Sequence, residues 1–138
     1  TLLTGGPTEL ELNYGQQIEK LCKVTKPANL IGRTNLKQLL ALIGRSCAVL
    51  APDSGPIHMA TAVGTPAIGL FASSNPERTG PALNQQWLVN AYPHAVEREL
   101  GAPVSQIPWG KRVRNSKVME TINITDVFEK IDLLSRNS

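Results

Sequence analysis

Aromatic residues, strong net charge and long apolar runs are all scarce in this chain, and each shortage excludes a class of protein. Only 4% of the 138 residues are aromatic, too few for the stacking platforms that hold single-stranded nucleic acid. A net charge of +3 is also too small to indicate nucleic-acid binding. No apolar run is long enough to cross a bilayer, and no signal peptide is visible. The hydrophobic content of 41% is nevertheless typical of a globular domain with a buried core.

The two cysteines, Cys22 and Cys47, form no recognisable metal or disulfide motif. Neither belongs to a CxxC pair, and no histidine is near either of them in the sequence. Both have apolar neighbours, so we expect two reduced thiols in the core, with Cys47 opening a buried strand. Reduced thiols favour a cytoplasmic location.

Two common nucleotide-binding fingerprints are missing as well. The glycines at Gly5 and Gly6 do not continue into GxGxxG, and the sequence contains no GxxxxGK[ST]. Neither a dinucleotide site of the usual Rossmann type nor a P-loop is therefore indicated.

Apolar segments alternate with amphipathic ones through the first half of the chain. This pattern predicts strands over residues 1–5, 28–31, 47–51 and 66–71. Residues 73–117 have poor periodicity and recurring prolines, so a long loop region with one short strand at 87–90 is predicted there. A last helix is predicted to begin at 123–126. We therefore predict an α/β fold, with a Rossmann-like parallel sheet and helices on both faces, forming one domain over residues 1–138 of a longer protein.

The most informative segment joins the strand predicted at 47–51 to a helix of small residues. It reads Asp53-Ser54-Gly55-Pro56, with His58 one turn into the helix. Open α/β sheets bind ligands at the carboxyl ends of their strands, and a helix N-terminus there attracts anions. This position predicts a site for an anionic ligand.

Each side chain of this segment has a binding and a structural interpretation. Gly55 permits a backbone geometry and a close approach that a Cβ would block, and Ser54 can donate its hydroxyl to a phosphate oxygen. Phosphate would repel Asp53, which is better suited to accept hydrogen bonds from sugar hydroxyls. The alternative is that Asp53 or Ser54 only caps the helix. His58 either is buried against the sheet or faces its edge and donates to phosphate.

A second candidate segment follows the first strand. Thr8 and Glu11 have the spacing of a capping box, which explains Glu11 by itself. Glu9 could hold two ribose hydroxyls, as acidic residues do at such positions, or it could merely favour the helix dipole.

A basic cluster comprises Lys111, Arg112, Arg114 and Lys117. Such clusters are usually solvated surface. A functional cluster here would attract an anionic acceptor or membrane headgroups.

Several spaced motifs resemble those of one family. The run Asp53-Ser54-Gly55-Pro56-x-His58-x-Ala60-x-Ala62-x-Gly64-x-Pro66 resembles the signature of the bacterial lipopolysaccharide heptosyltransferases, glycosyltransferase family 9. Gly5-Gly6-Pro7-x-Glu9 and residues 29–36 precede this signature, and Phe71-Ala72-x-x-Asn75-Pro76 follows it, in the family's order. The resemblance covers residues 1–80 and the final helix, whereas residues 81–118 lie outside it.

The resemblance implies a fold, a reaction and a donor. Family members have two Rossmann-like domains facing a cleft, the GT-B arrangement, and this chain resembles the second, donor-binding domain. They move heptose from ADP-heptose to the lipopolysaccharide inner core, with inversion and without an essential metal; we therefore expect no metal site and no cofactor. Glu9 is implied to hold the ribose, and residues near Thr34 to line the adenine pocket.

The remaining implied roles fall on the Asp53 segment. Ser54 and Gly55 would hold the diphosphate with His58 beside it, and Asp53 would contact the donor sugar. No catalytic residue is expected in this chain, because the family's general base is an aspartate of the first domain. The strand and helix that supply a phosphate-binding lysine in the family are also absent.

These inferences leave alternatives open. The chain could be a non-catalytic nucleotide-binding module, or part of a GT-B transferase that uses a UDP-sugar, because nothing in the residues independently specifies the base. A response-regulator-like domain lacks support, since no acidic cluster follows the first strand. For the transferase we expect the partners to be a nucleotide sugar, a lipopolysaccharide core precursor and the missing N-terminal domain. We expect a cytoplasmic location, with peripheral contact at the inner membrane as a further option.

Overall fold

The structure is a computed structural model that describes residues 1–136. Strands and α-helices alternate along the chain as far as α5, and a further helix follows. The order is β1 Leu2–Leu3, α1 Glu9–Leu21, β2 Ala28–Asn29, α2 Leu36–Ile43, β3 Val49–Pro52, α3 Gly55–Ala62, β4 Ala67–Phe71, α4 Pro76–Thr79, β5 Leu88–Asn90, α5 Tyr92–Leu100 and α6 Ile124–Arg136. Short 3-10 helices occur at Gln85–Trp87, Val104–Gln106 and Val118–Thr121. Within the described residues, no helix combines the length and apolar character needed to span a bilayer.

The chain divides into two compact units, and the first is Thr1–Leu42. Its strands β1 and β2 pair in parallel, with Leu2 opposite Ala28. The pairing continues beyond the strands, where the Gly32 amide donates to the carbonyl of Gly5 at 3.0 Å. The predicted strands at 1–5 and 28–31 are confirmed, with shorter regular portions.

A capping box begins α1, as the sequence predicts. The Thr8 hydroxyl accepts from the Glu11 amide at 3.2 Å and donates to the Glu11 carboxylate at 2.7 Å. That carboxylate also accepts from the Gly6 amide at 3.1 Å. Glu11 therefore ties the start of the helix to the loop that follows β1.

Replacing Glu11 with glutamine is expected to flatten the acid dependence of stability. Hydrogen bonds from the Thr8 hydroxyl and then from the Gly6 amide lower the pKa of Glu11. A lowered pKa stabilises the fold above the unfolded value of about 4.3 and loses that contribution as pH falls through the folded value. Denaturant unfolding at neutral and acidic pH would measure this difference. Glu9→Gln, in the same helical turn, serves as the control and should keep the wild-type slope; an unchanged slope in Glu11→Gln would contradict the account.

The second unit begins at Ile43 and contains a parallel sheet in the order β3-β4-β5. Neighbouring residues of β4 point to opposite faces of this sheet. Ile68 packs with Val89 and with Leu134 of α6 on one face. Gly69 lies against Ile57 of α3 on the other face. Within this unit the predicted parallel sheet with helices on both faces is confirmed.

The prediction of a loop over residues 73–117 is wrong, except for the strand at 87–90, which is present as β5. The region contains α5, whose buried residues Tyr92, Ala95 and Val96 pack in one core cluster. Pro93 lies in the first helical turn, where proline is tolerated because that amide needs no helical partner. Gly101 ends the helix with φ of 65° in the left-handed region. The proline that suggested a loop thus begins a helix.

The cysteines are less buried than predicted. Cys22 is half-buried, Cys47 is exposed, and both are free thiols. The expectation of two core thiols is wrong: Cys22 lies at the C-cap of α1, and β3 begins at Val49 rather than at Cys47.

Candidate functional site

The predicted residues of the Asp53 segment lie together at the carboxyl end of β3. Asp53 and Ser54 directly follow the strand, Gly55 is the first residue of α3, and His58 lies one turn further on. Strand β4 runs parallel to β3, with Pro52 opposite Leu70. The residues that follow β4 consequently emerge beside this segment.

Asp53 is held by three hydrogen-bond donors that converge on one carboxylate oxygen. Its Oδ2 accepts from Ser74 Oγ at 2.6 Å, from Thr79 Oγ1 at 3.1 Å and from an Arg112 guanidinium nitrogen at 3.0 Å. The Asp53 side chain is 15% exposed, whereas that of Arg112 is 49% exposed. The donors fix the orientation of a carboxylate that is enclosed but still reachable from solvent.

Residue-by-residue reasoning from the sequence missed Ser74 and Thr79. Both belong to the segment after β4: Ser74 is 3% exposed, and Thr79 ends α4. Asn75 caps α4 by accepting from the Glu77 amide at 3.0 Å, which positions Thr79 one turn later. The available signal was the parallel order of the strands, because adjacent strand ends place their following loops side by side.

The helix-capping alternative is wrong for the side chains of Asp53 and Ser54. Ser54 occupies the N-cap position of α3 with extended backbone, but its hydroxyl makes no capping bond. The hydroxyl instead donates to the carbonyl of Pro52 at 3.1 Å. Since Asp53 is engaged by its three donors, α3 begins without a side-chain cap. Pro56 has no amide hydrogen and the Ile57 amide donates to the carbonyl of Ser54 at 3.2 Å, so Gly55 supplies the first amide of the helix that is suited to an anion.

Gly55 and His58 differ in how they match their predictions. A methyl group at Gly55 would meet nothing within 4 Å, so the space above this residue is open to a ligand. The expected special backbone geometry is wrong, because the glycines with positive φ are Gly32, Gly64 and Gly101. His58 is exposed, which excludes the alternative of a histidine buried against the sheet.

Glu9 and Thr34 belong to the first unit. Glu9 is the first residue of α1 and is exposed, while Thr34 is half-buried just before α2. Their loops are in contact, since a methyl group on Gly32 would lie 3.3 Å from Pro7. The residues implied to hold ribose and adenine therefore follow two paired strands of this unit.

The amino-acid sequence matches the model of one protein family. A family model described as glycosyltransferase family 9 (heptosyltransferase) matches residues 1–107. This chain belongs to that family. The match includes both units up to α5 and the 3-10 helix after it, and it ends before the basic cluster at 111–117.

Curated relatives agree with the family. The chain is 41% identical over 133 residues to "Lipopolysaccharide core heptosyltransferase OpsX" of Haemophilus influenzae, which covers 96% of this chain and 38% of the relative. It is 28% identical over 139 residues to "Lipopolysaccharide heptosyltransferase 3" of Escherichia coli, covering 99% of this chain and 38% of that relative. The chain therefore spans well under half of the length of these proteins.

A solved structure agrees with the fold. The crystal structure of the glycosyl transferase family 9 from Veillonella parvula matches with a TM-score of 0.71 at 24% identity, over 98% of this chain and 36% of that one. At this identity the likeness establishes the α/β fold.

Proposed function

We propose that this chain is the donor-binding half of an inverting GT-B glycosyltransferase that moves heptose from ADP-heptose to the lipopolysaccharide inner core. Its named relatives are lipopolysaccharide heptosyltransferases. The chain spans only 38% of the length of each of the two relatives described above. The observation that carries the proposal is the fixed Asp53 carboxylate beside the uncapped start of α3.

The two features suit two parts of a nucleotide sugar, its sugar and its diphosphate. A carboxylate accepts hydrogen bonds from sugar hydroxyls, and Asp53 is already oriented for this by its donors. The Gly55 amide at the start of α3 and the exposed His58 can donate to a diphosphate. The Ser54 hydroxyl can do so once it exchanges the Pro52 carbonyl for a phosphate oxygen. Gly55 leaves room for the diphosphate to approach the backbone.

In this proposal the chain binds and orients the donor and does not remove the acceptor's proton. Glu9 would hold the ribose, and Thr34 would line the adenine pocket. The general base would come from an N-terminal domain, so the isolated chain would bind nucleotide weakly and catalyse no transfer. The proposal requires no metal and no cofactor.

Replacing Gly55 with alanine is expected to weaken ADP-heptose binding about tenfold while leaving stability within about 1 kcal/mol of wild type. The added methyl group meets no protein atom within 4 Å but occupies the space proposed for the diphosphate. Isothermal titration calorimetry would measure the affinity and denaturant unfolding the stability. Ala62→Ser, at the other end of α3, should change neither. An unchanged affinity of Gly55→Ala for ADP-heptose would show that the diphosphate does not bind at this position.

Replacing His58 with alanine is expected to weaken the binding of ADP and ADP-heptose equally, by about threefold to tenfold. An equal loss is expected because the histidine is proposed to contact the diphosphate, which both ligands share. His94 is also exposed and lies on α5, so His94→Ala is the matched control. Equal affinities in both variants and in wild type would exclude His58 from the site.

The same titration tests the choice of donor. UDP and UDP-glucose should bind more weakly than ADP and ADP-heptose if the first unit selects adenine. Tighter binding of UDP and UDP-glucose would support the alternative that the chain is part of a GT-B transferase that uses a UDP-sugar.

A further inference from the structure

A cationic cavity in the second unit adjoins Asp53 through Arg112. It is open to solvent on one side, has a volume of about 650 Å³ and is lined by Arg78, Glu99, Leu100 and residues 110–114. Four of the lining side chains are cationic and only Glu99 is acidic, the cations being Arg78, Lys111, Arg112 and Arg114. This excess of positive charge in a concave surface concentrates anions.

The acidic lining residue does not neutralise these cations. The Glu99 carboxylate accepts from the Asn115 amide at 2.8 Å and pairs with Arg98 at 3.0 Å, and neither partner lines the cavity. The hydrogen bond from Asn115, followed by that from Arg98, lowers the pKa of Glu99. Among residues 1–136, ion pairs form at Arg98 and Arg112 alone, so the other three cations of the cavity have no carboxylate partner.

The loop that carries these cations is anchored to the core. The Tyr92 hydroxyl donates to the carbonyl of Lys111 at 2.6 Å, and Tyr92 itself is 1% exposed. The Val113 amide donates to the carbonyl of Ser73 at 2.9 Å, and the Val113 side chain is 3% exposed. Lys111 and Arg114 thus extend from a backbone held on both sides of Arg112. The backbone that carries the cations of the cavity is therefore held in place by the core.

We propose that this cavity binds an anionic group, a phosphate or a carboxylate, carried by the saccharide acceptor. The inference rests on the proposed function. Arg112 lines the cavity and also contacts Asp53, the residue proposed to hold the donor sugar. An acceptor must lie next to that sugar for transfer to occur, and the cavity occupies such a place. Its volume falls within the usual range of ligand sites, about 300–1,000 Å³, and exceeds the space that an isolated phosphate needs.

Two observations favour the acceptor over the donor as the source of the anion. The donor's diphosphate already has a proposed site at the start of α3, and no residue of that helix is among those that line the cavity. The family match ends at residue 107, so the loop lies outside the region that the family model matches. A concave lining also suits a single ligand group better than it suits a lipid surface. Proteins that bind a lipid surface do so with an exposed apolar face.

Calorimetric titration of the full 138-residue chain with glucose 6-phosphate, glucuronate and glucose tests this inference. Arg114→Gln and Lys111→Gln each remove one lining charge, and Lys117→Gln removes one charge from the same basic cluster outside the cavity. We expect the wild type to bind the phosphorylated sugar or the sugar acid but not glucose. Either lining variant should weaken that binding about tenfold, while Lys117→Gln should retain it. Circular dichroism would verify that each variant is folded.

Further titrations separate the possible sources of the anion. ADP should bind the lining variants as it binds wild type, and saturating ADP should leave glucose 6-phosphate binding intact. Loss of ADP affinity in the variants, or competition between the two ligands, would assign the cavity to the donor and overturn the inference. Equal weakening by Lys117→Gln, or no binding of either anionic sugar, would also overturn it. So would phosphatidylglycerol vesicles that bind the wild type in preference to both sugars.

Failure of the proposed function gives a different pattern. If ADP-heptose does not bind but glucose 6-phosphate binds in a manner that depends on Arg114, the donor assignment fails and the anion site stands. If ADP-heptose binds and neither anionic sugar does, the donor site stands and the cavity proposal fails.

Discussion

Replacing Asp53 with alanine is expected to weaken ADP-heptose binding about tenfold or more and to lower the free energy of unfolding by about 2 kcal/mol. The loss of binding follows from the loss of the acceptor proposed for the donor sugar. The loss of stability follows because Ser74 is 3% exposed and its hydroxyl, 2.6 Å from Asp53 Oδ2, would lose that acceptor. Calorimetry with ADP-heptose and denaturant unfolding would measure the two effects.

Three further variants separate the contributions to the Asp53 network. Asp53→Asn keeps the shape of the side chain, so it should retain more stability than the alanine variant. Arg112→Gln should lower stability by less than about 1 kcal/mol, because the Arg112 side chain is 49% exposed and surface ion pairs contribute little. Ser74→Ala should have an intermediate effect. A loss in Arg112→Gln equal to that in Asp53→Ala would show that the ion pair, rather than the buried hydroxyl, stabilises the segment.

Binding of ADP helps to assign the role of Asp53. If Asp53 contacts the sugar, Asp53→Asn should weaken ADP-heptose binding more than ADP binding. A variant that binds both ligands as tightly as wild type would limit Asp53 to a structural role in joining the loops after β3 and β4.

Replacing Gly69 with alanine is expected to lower the free energy of unfolding by about 2–3 kcal/mol. A methyl group there would lie 2.6 Å from Leu88 Cδ2 and 2.8 Å from both Ile57 Cδ1 and Phe71 Cε2. These side chains are at most 9% exposed, so none has free space into which it can move. The strand is central in its sheet, between β3 and β5, which leaves the backbone little freedom to relax.

The same substitution is expected to affect the candidate site indirectly. Ile57 and His58 are consecutive residues of α3, so displacement of Ile57 shifts the helix start. Thermal unfolding would measure the stability and calorimetry the affinity for ADP-heptose. Gly55→Ala is the matched control for stability, because it adds the same methyl group in open space and should stay within about 1 kcal/mol of wild type. Similar losses of stability in the two variants would contradict the packing described around Gly69.

The parts of the fold that could be predicted from sequence are those with strong local signals. The apolar runs before Asp53 and before Ala72 predict β3 and β4, and Thr8 with Glu11 predicts the start of α1. In contrast, α5 could not be recognised from its prolines, because Pro93 is acceptable only in a first helical turn. Recognising that turn requires knowing that Tyr92 and Val96 are buried together.

In the candidate site, too, some features have a local sequence signal and others depend on how distant residues pack. The position of Asp53, Ser54 and His58 at a strand end is a local property that the sequence reveals. The donors to Asp53 come from residues 21 to 59 positions further along the chain. Their convergence depends on the pairing of β4 with β3 and on the path of the chain after α5, neither of which has a local signature. Whether His58 lies on the exposed or the buried side of α3 likewise depends on how the helix packs.

The central claim is that the segment from Ser54 to His58 binds the diphosphate of a nucleotide sugar, and amide NMR of the isotope-labelled chain tests it most directly. On addition of ADP-heptose, the amides of Ser54, Gly55, Ile57 and His58 are predicted to show the largest shift changes in the second unit. Those of α6, which packs on the opposite face of the sheet, should remain unchanged. Shift changes that spare this segment, or that are centred on α6, would contradict the account.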